Sequence, residues 1–404
     1  MTPDLGPASL DAWSRVARWP GVRTLRSSSY RLVLGASLWL VGIAMLGPLL
    51  LGLADSPSGQ FGVDFADYRA ASLRLLEGRS PYTQAMLTGP VDAQGARGYR
   101  YPPPLAQLIS PIAVLPIQAG ATIWLAIQVT LIFVSTWMAG SAAGGPRSWE
   151  RFIWTGVVLT YFFPVFDTLW KGNVEGPIAL SVSLLLAAPL GHAGHASRRL
   201  RAGVLAGAVA VIKLAPAAVV PAVVRAHRQV AVGALLGMGL LVLPSLVLAP
   251  NAWMEYARVI PNLLTGDAGY ANNLAPAIVA ANLGAPAALV ALVRLVAVGT
   301  AIVLIGVSVR LAGRSDYWPA ALGCAVVASL LLPAVLWYHY PTVLVPLAAY
   351  AWVRAGRAGR LALIGGGALV NAGLVFPAIA TLGAAILAAS STAVVWPGTG
   401  LWRR

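Results

Sequence analysis

Residues 31–54 read RLVLGASLWLVGIAMLGPLLLGLA, and Asp55 follows at once. After the opening arginine no charge interrupts the run. A helix needs about 20 apolar residues to cross the roughly 30 Å hydrocarbon core of a bilayer. The run meets that length, and the stretches 230–250 and 284–309 repeat it. Residues 1–30 hold no apolar segment ahead of it and no small-residue cleavage site. It is therefore expected to be a retained first helix rather than a removed signal.

Composition extends this reading to the whole chain. Of 404 residues, 58% are hydrophobic and 10% charged, and the mean hydropathy is +0.76. A soluble domain carries roughly a quarter charged residues, because its surface faces water. The expected class is an all-α integral membrane protein whose solvent is lipid. The net charge of +15 does not indicate nucleic acid. Its arginines cluster in short loops, the pattern of cytoplasmic segments in multi-pass proteins. The lone cysteine, Cys324, sits in an apolar run, and His192, His195, His227 and His339 are scattered. No disulfide, no metal site and no cofactor is expected.

The arginines set the topology. Basic loops occur at 15–31, 147–151, 198–201, 225–228, 310–314 and 354–360, and the chain ends Arg403-Arg404. Placing all of these inside gives a cytoplasmic tail at 1–30 and one polytopic domain over 31–404, with a first outer loop at 55–100. Nine of the thirteen acids (Asp55, Asp64, Asp67, Glu77, Asp92, Asp167, Glu175, Glu255 and Asp267) then fall in or beside the segments between the basic loops. The second half closes with outward runs at 230–250 and 318–336, returns at 284–309 and 341–353, and a final pair at 361–380 and 381–402. The first half closes less simply. Basic loops 198–201 and 225–228 flank one apolar run holding Ile212-Lys213-Leu214-Ala215-Pro216. A proline removes a helix hydrogen bond, and a lysine at membrane depth must face protein or a wet cavity. Two half-helices that rise to a break near 213–217 and return satisfy both loops. Residues 101–143 show two hydrophobic segments where the charges require an odd number of crossings. The expected total is about 11 to 13 membrane segments, broken ones included.

The first outer loop carries the leading candidate for chemistry. Phe65, Tyr68, Leu75 and Leu76 share a helical face, with Arg69 and Arg74 away from it. This pattern predicts an amphipathic helix on the membrane interface. Asp64 stands just before its first turn. Asp is a favoured N-cap, and a carboxylate at the membrane surface can also serve as a general base. Spacing alone does not separate these roles. Lys213 lies about a dozen residues from either flanking basic loop, so it reads as a buried cation suited to a phosphate. His339 lies in an aromatic turn between two apolar runs, where an interfacial aromatic belt is the simplest role.

The order of short pieces along the chain resembles glycosyltransferase family 87, a GT-C-class group of enzymes that use polyprenyl-phosphate sugars. The pieces are Asp64-Phe65 with Tyr68 and Ala70-Ala71, Pro81-Tyr82, Tyr101-Pro102-Pro103, Gly172-Asn173, Ile212-Lys213-Leu214-Ala215-Pro216, Asn272-Asn273 and Trp337-Tyr338-His339. The resemblance implies a GT-C-type bundle with broken helices and interfacial helices in the first outer loop. It implies transfer of a glycosyl residue, mannose first, from a polyprenyl-phosphate sugar to a glycolipid or glycan acceptor. The site would face the outer side of the cell membrane, with inversion at the anomeric carbon and Asp64 as base. It points to Lys213 and His339 at the donor phosphate and Asn272 and Asn273 at sugar or acceptor hydroxyls. Asp67, Tyr68, Tyr101, Asn173 and Trp337 are its further substrate-binding candidates. The chain departs from the family's common patterns in three places. It has Gly172-Asn173-Val174-Glu175 for Gly-Gln-x-Asn, Trp337-Tyr338-His339-Tyr340 for Trp-Asp-His-His, and an asparagine pair for Asn-Gln-Ser. Two other classes share some of these features: a transporter or flippase of lipid-linked sugars, and a non-catalytic membrane scaffold.

Overall fold

The computed structural model describes residues 27–54, 62–89, 91, 98–188, 195–265, 272–373 and 376–396. Residues 1–26 of the expected tail, Asp55, Asp92, His192, Asp267 and Arg403-Arg404 lie outside the described residues. Among the described residues every regular element is helical. In chain order these are α1 (Ser28–Ala54), α2 (Val63–Leu76), α3 (Gln84–Thr88), α4 (Pro103–Ala113), α5 (Ile117–Ala142) and α6 (Trp149–Tyr161). They continue with α7 (Phe163–Lys171), α8 (Glu175–Ala187), α9 (Ala196–Ile212), α10 (Val220–Ala226), α11 (Arg228–Leu248) and α12 (Pro250–Thr265). The last six are α13 (Pro276–Asn282), α14 (Ala287–Ala312), α15 (Trp318–Leu331), α16 (Leu344–Arg354), α17 (Arg357–Ala372) and α18 (Pro377–Val394).

Five of these helices, α1, α5, α11, α14 and α18, are long and apolar enough to cross a membrane. The pair α6–α7 makes a sixth if its 68° bend is counted within one span. The other apolar elements are shorter, so among the described residues five or six helices qualify as spans, against the expected 11 to 13 membrane segments. The long helices keep Leu292, Leu295, Ile302 and Val303 of α14 and Leu240 and Leu243 of α11 exposed. Such a surface matches lipid rather than water. The chain is a multi-pass membrane protein.

The broken elements satisfy their backbone from neighbouring side chains, as a membrane interior requires. At the α6–α7 bend, Asn371 of α17 donates to the Tyr161 carbonyl at 2.7 Å and accepts from the Phe163 amide at 2.9 Å. At the start of α8, the buried Gln128 of α5 accepts the Gly176 amide at 2.8 Å.

The structure also answers the two topological questions. Glycines 203 and 207 of α9 meet Val230 and Ala234 of α11, while Gly233 and Gly237 meet Leu200 and Val204. Both sets of partners rise together along the two chains, so α9 and α11 run parallel. Arg199 Nε donates to Gln229 Oε1 at 2.6 Å, which ties their basic starts side by side. The segment between them must therefore return. It does so through an extended Lys213, a 3-10 turn at Ala215–Val219 and α10. In 101–143, α4 is only 11 residues long and packs on α2, with Ser72 Oγ donating to the Ala106 carbonyl at 2.5 Å. That leaves α5, at 26 residues, as the single crossing.

One expectation needs correction. The apolar face of α2 does not rest on lipid. Phe65, Tyr68, Ala71 and Ser72 are buried within the protein, and Phe65 stacks on Trp124 at 6.1 Å between ring centroids. Leu75 packs partly on the same cluster, whereas Leu76 turns away and is 58% exposed.

Candidate functional site

The end of α7 and the start of α2 are built as one unit. Gly172 closes α7 in the left-handed region at φ +69°, and the Asn173 amide reaches back to the Thr168 carbonyl at 2.9 Å. This is the closure that glycine allows at a helix C-terminus. A side chain at 172 would press on Phe65, and the Gly172 carbonyl accepts Trp124 Nε1 at 2.7 Å. Gly62, at φ +62°, precedes α2 and donates to the Trp170 carbonyl at 2.7 Å. Gly62, not Asp64, is thus the N-cap position, and no side chain caps this helix. The capping role available to Asp64 in the sequence is overturned. Its carboxylate is left for other work.

That carboxylate meets Asn173. Asn173 Nδ2 donates to Asp64 Oδ2 at 2.6 Å and lies 3.1 Å from the Tyr101 hydroxyl, which it also reaches as a donor. Asn173 is 2% exposed, so its amide is held in one setting. Tyr101 follows a tight knot in which Tyr99 donates to the Pro102 carbonyl and accepts the Ala106 amide at 2.9 Å. Tyr82 adds a bond to the Tyr101 carbonyl at 2.9 Å. Burial pushes the Tyr101 phenol upward, with the Lys213 charge opposing and the Asp64 charge reinforcing the shift. Tyr101 therefore remains a neutral hydroxyl beside the Asp64–Asn173 pair.

Lys213 and His339 come from distant parts of the chain. Lys213 is buried where α9 breaks, contacts Glu175 Oε1, and stands 3.8 Å from the ring centroid of Tyr340. Its charge is thus matched by a carboxylate from the first turn of α8, which refines the expectation of a cation awaiting a phosphate. Lys213→Ala would strand a buried carboxylate, an effect of about 3–5 kcal/mol. Thermal unfolding in nanodiscs should show a large loss for that variant, and Lys213→Met with Glu175→Leu should recover most of it. His339 is 1% exposed rather than an interfacial belt residue, and its Nδ1 lies 3.1 Å from Asp167 Oδ2. Asp167 Oδ1 is also 3.9 Å from Lys171 Nζ, one helical turn on.

Most of these groups converge. A cavity of about 420 Å³ is lined by Asp64, Asp67, Tyr68, Tyr101, Asn173, Lys213, Trp337 and His339, together with Arg100, Lys171, Tyr256 and Tyr340. Eight of the ten expected residues share this wall. The other two do not reach it. Asn272 is exposed elsewhere, and Asn273 is wholly buried in a structural role. Its Oδ1 accepts the amides of Ala275 and Leu336 at 2.9 Å each, and its Nδ2 donates to the Ala334 carbonyl at 3.2 Å. It pins the strip 332–335, which itself lines the cavity.

Asp167, Glu175, Tyr340 and Lys171 were not singled out from the sequence. One signal was available for Lys171. Of the chain's 28 basic residues only Lys171 and Lys213 are lysines, and both line this cavity. Nothing comparable marks Asp167, whose role appears only when the bend at Phe162 brings α7 against the 337–343 turn. Among the described residues no cluster of three or more His, Cys, Asp or Glu could hold a metal.

Comparison with known proteins places the site in a family. Neither a curated protein nor a solved structure gives a match. Residues 99–338 match the model of glycosyltransferase family 87. The matched stretch contains Tyr101, Asn173 and Lys213 and stops one residue before His339, while Asp64 lies ahead of it. With more than half of its length matched, and that length enclosing most of the cavity, the chain belongs to glycosyltransferase family 87.

Proposed function

We propose that this glycosyltransferase moves mannose from a polyprenyl-phosphate donor onto a membrane glycolipid or glycan, at a site on the extracytoplasmic side of the plasma membrane. The observation that carries the reading is one cavity holding the Asn173-oriented carboxylate of Asp64 together with His339 and both lysines of the chain. Its volume lies within the roughly 300–1,000 Å³ of small-molecule sites. Glycosyl transfer needs both chemistries at once. The acceptor hydroxyl attacks the anomeric carbon and gives its proton to Asp64. The bond from that carbon to the phosphate oxygen breaks, and its electron pair leaves with the lipid phosphate. Cationic and N–H donors at the cavity wall stabilise the charge that develops there. In-line displacement inverts the centre, from a β-linked donor to an α-linked product. A lipid monophosphate carries less charge than a nucleotide diphosphate, so the proposed transfer runs without metal.

The experiment uses purified protein in nanodiscs with membrane glycolipids. Polyprenyl-phosphate mannose, polyprenyl-phosphate arabinofuranose and GDP-mannose are supplied in parallel, each radiolabelled. Label should pass to the acceptor from the lipid-phosphate mannose and not from the nucleotide sugar, with an α-anomeric product by NMR. Transfer from GDP-mannose alone, or from none of the three, overturns the reading.

A further inference from the structure

Two features of His339 set it apart. Its Nδ1 is engaged by Asp167 at 3.1 Å, while Nε2 is buried and has no hydrogen-bond partner among the described residues, although the residue lines the cavity. A buried polar atom without a partner loses its hydration for nothing unless a ligand supplies the missing bond. The Asp167 side is rigid by contrast. Thr168, its neighbour on α7, shares a 2.9 Å hydroxyl contact with Thr342, and the Thr342 amide donates to the His339 carbonyl at 3.0 Å. Helix α7 and the histidine turn are therefore tied together beside the Asp167–His339 contact.

We propose that Asp167 is a positioning residue: it takes the Nδ1 proton of His339 in a hydrogen bond and thereby turns Nε2 into the cavity to meet the donor's phosphate. This rests on the lipid-phosphate reading above. A hydrogen bond at one ring nitrogen fixes the ring's orientation and its tautomer. When phosphate arrives, the imidazole lies between two anions and bridges them through its two ring nitrogens. No proton is transferred by this contact. The hydroxyl proton goes to Asp64, the electron pair goes to the departing phosphate oxygen, and His339 keeps its protons while holding that oxygen. The role of Asp167 is thus exercised through the histidine and is specific to an anionic ligand.

The test separates anion recognition from general damage. Binding of farnesyl phosphate and of the uncharged alcohol farnesol is measured on the full chain in nanodiscs, for wild type, Asp167→Asn, Asp167→Glu, His339→Gln and the double variant Asp167→Asn/His339→Gln. Wild type should prefer the phosphate. Asp167→Asn should weaken phosphate binding about tenfold, the loss of one charge-assisted contact, and leave farnesol unchanged. The double variant should be no weaker than His339→Gln alone, because the two residues act as one unit. Equal loss for phosphate and alcohol, or full phosphate preference in Asp167→Asn, overturns the assignment. If that variant does not accumulate, full phosphate preference in His339→Gln does the same. Failure of wild type to prefer the phosphate at all points instead to failure of the lipid-phosphate reading.

Discussion

Asp64→Asn should reduce glycosyl transfer by about 10²–10⁴-fold, the range that a positioned general base supplies, while donor binding stays near wild type. The substitution keeps size and shape. It also keeps an oxygen able to accept from Asn173 Nδ2, which now bonds Asp64 Oδ2 at 2.6 Å. What disappears is the capacity to take a proton. The loss should therefore fall on kcat and leave KM for the donor largely intact. Stability offers a second reading of the same variant. Because Gly62 occupies the cap position and no side chain caps α2, removing the charge costs the attraction of a first-turn carboxylate to the helix dipole, about 0.3–1 kcal/mol, and weakens the bond from Asn173 to that of a neutral pair. An aspartate that merely capped the helix would show a different pattern: asparagine caps as well as aspartate, so activity per folded molecule and unfolding temperature would both be preserved.

Gly237→Leu should prevent the protein from assembling its fold. A β-carbon on Gly237 would overlap the Val204 carbonyl oxygen, and one on Gly207 would overlap that of Ala234. These are backbone atoms of regular helices, so no side-chain rotation relieves the overlap. Close backbone approach through small residues four apart is a standard means of joining helices in lipid. Forcing α9 and α11 apart also pulls Lys213 from Glu175, since Lys213 stands at the end of α9. The expected destabilisation is beyond about 3 kcal/mol, the upper end for ordinary overpacking. It should appear as loss of the monodisperse peak on size-exclusion chromatography. Gly299→Leu is the control. No atom lies within 4 Å of a β-carbon at Gly299, so that variant should elute and unfold like wild type.

Much of the architecture could be read from residues alone, because membrane solvation acts on composition and length. The run 31–54, the arginine loops and the lysine-proline break at 213–216 each express a one-dimensional rule: apolar length, charge side, or a missing amide. The re-entrant course after α9 followed from two basic loops flanking one apolar run, and the parallel packing of α9 and α11 bears it out. What escaped was what depends on long-range pairing. The face of α2 looked lipid-directed because periodicity reports that a face is apolar, not what covers it, and here α4 and Trp124 cover it. Asn273 looked like a sugar ligand because a motif position does not show that three backbone groups already use its amide. Asp167 and Glu175 were legible only as acids. Their partners lie 172 and 38 residues away along the chain.

In the proposed reaction, sugar and lipid phosphate occupy the cavity between Asp64 and His339. The most direct measurement is a cryo-electron microscopy structure of the Asp64→Asn variant with polyprenyl-phosphate mannose, which that variant should bind and not turn over. The hexose should lie within hydrogen-bond reach of position 64 and the phosphate against His339 Nε2. Density for the sugar phosphate outside this cavity, or with phosphate at position 64 and sugar at His339, would contradict it.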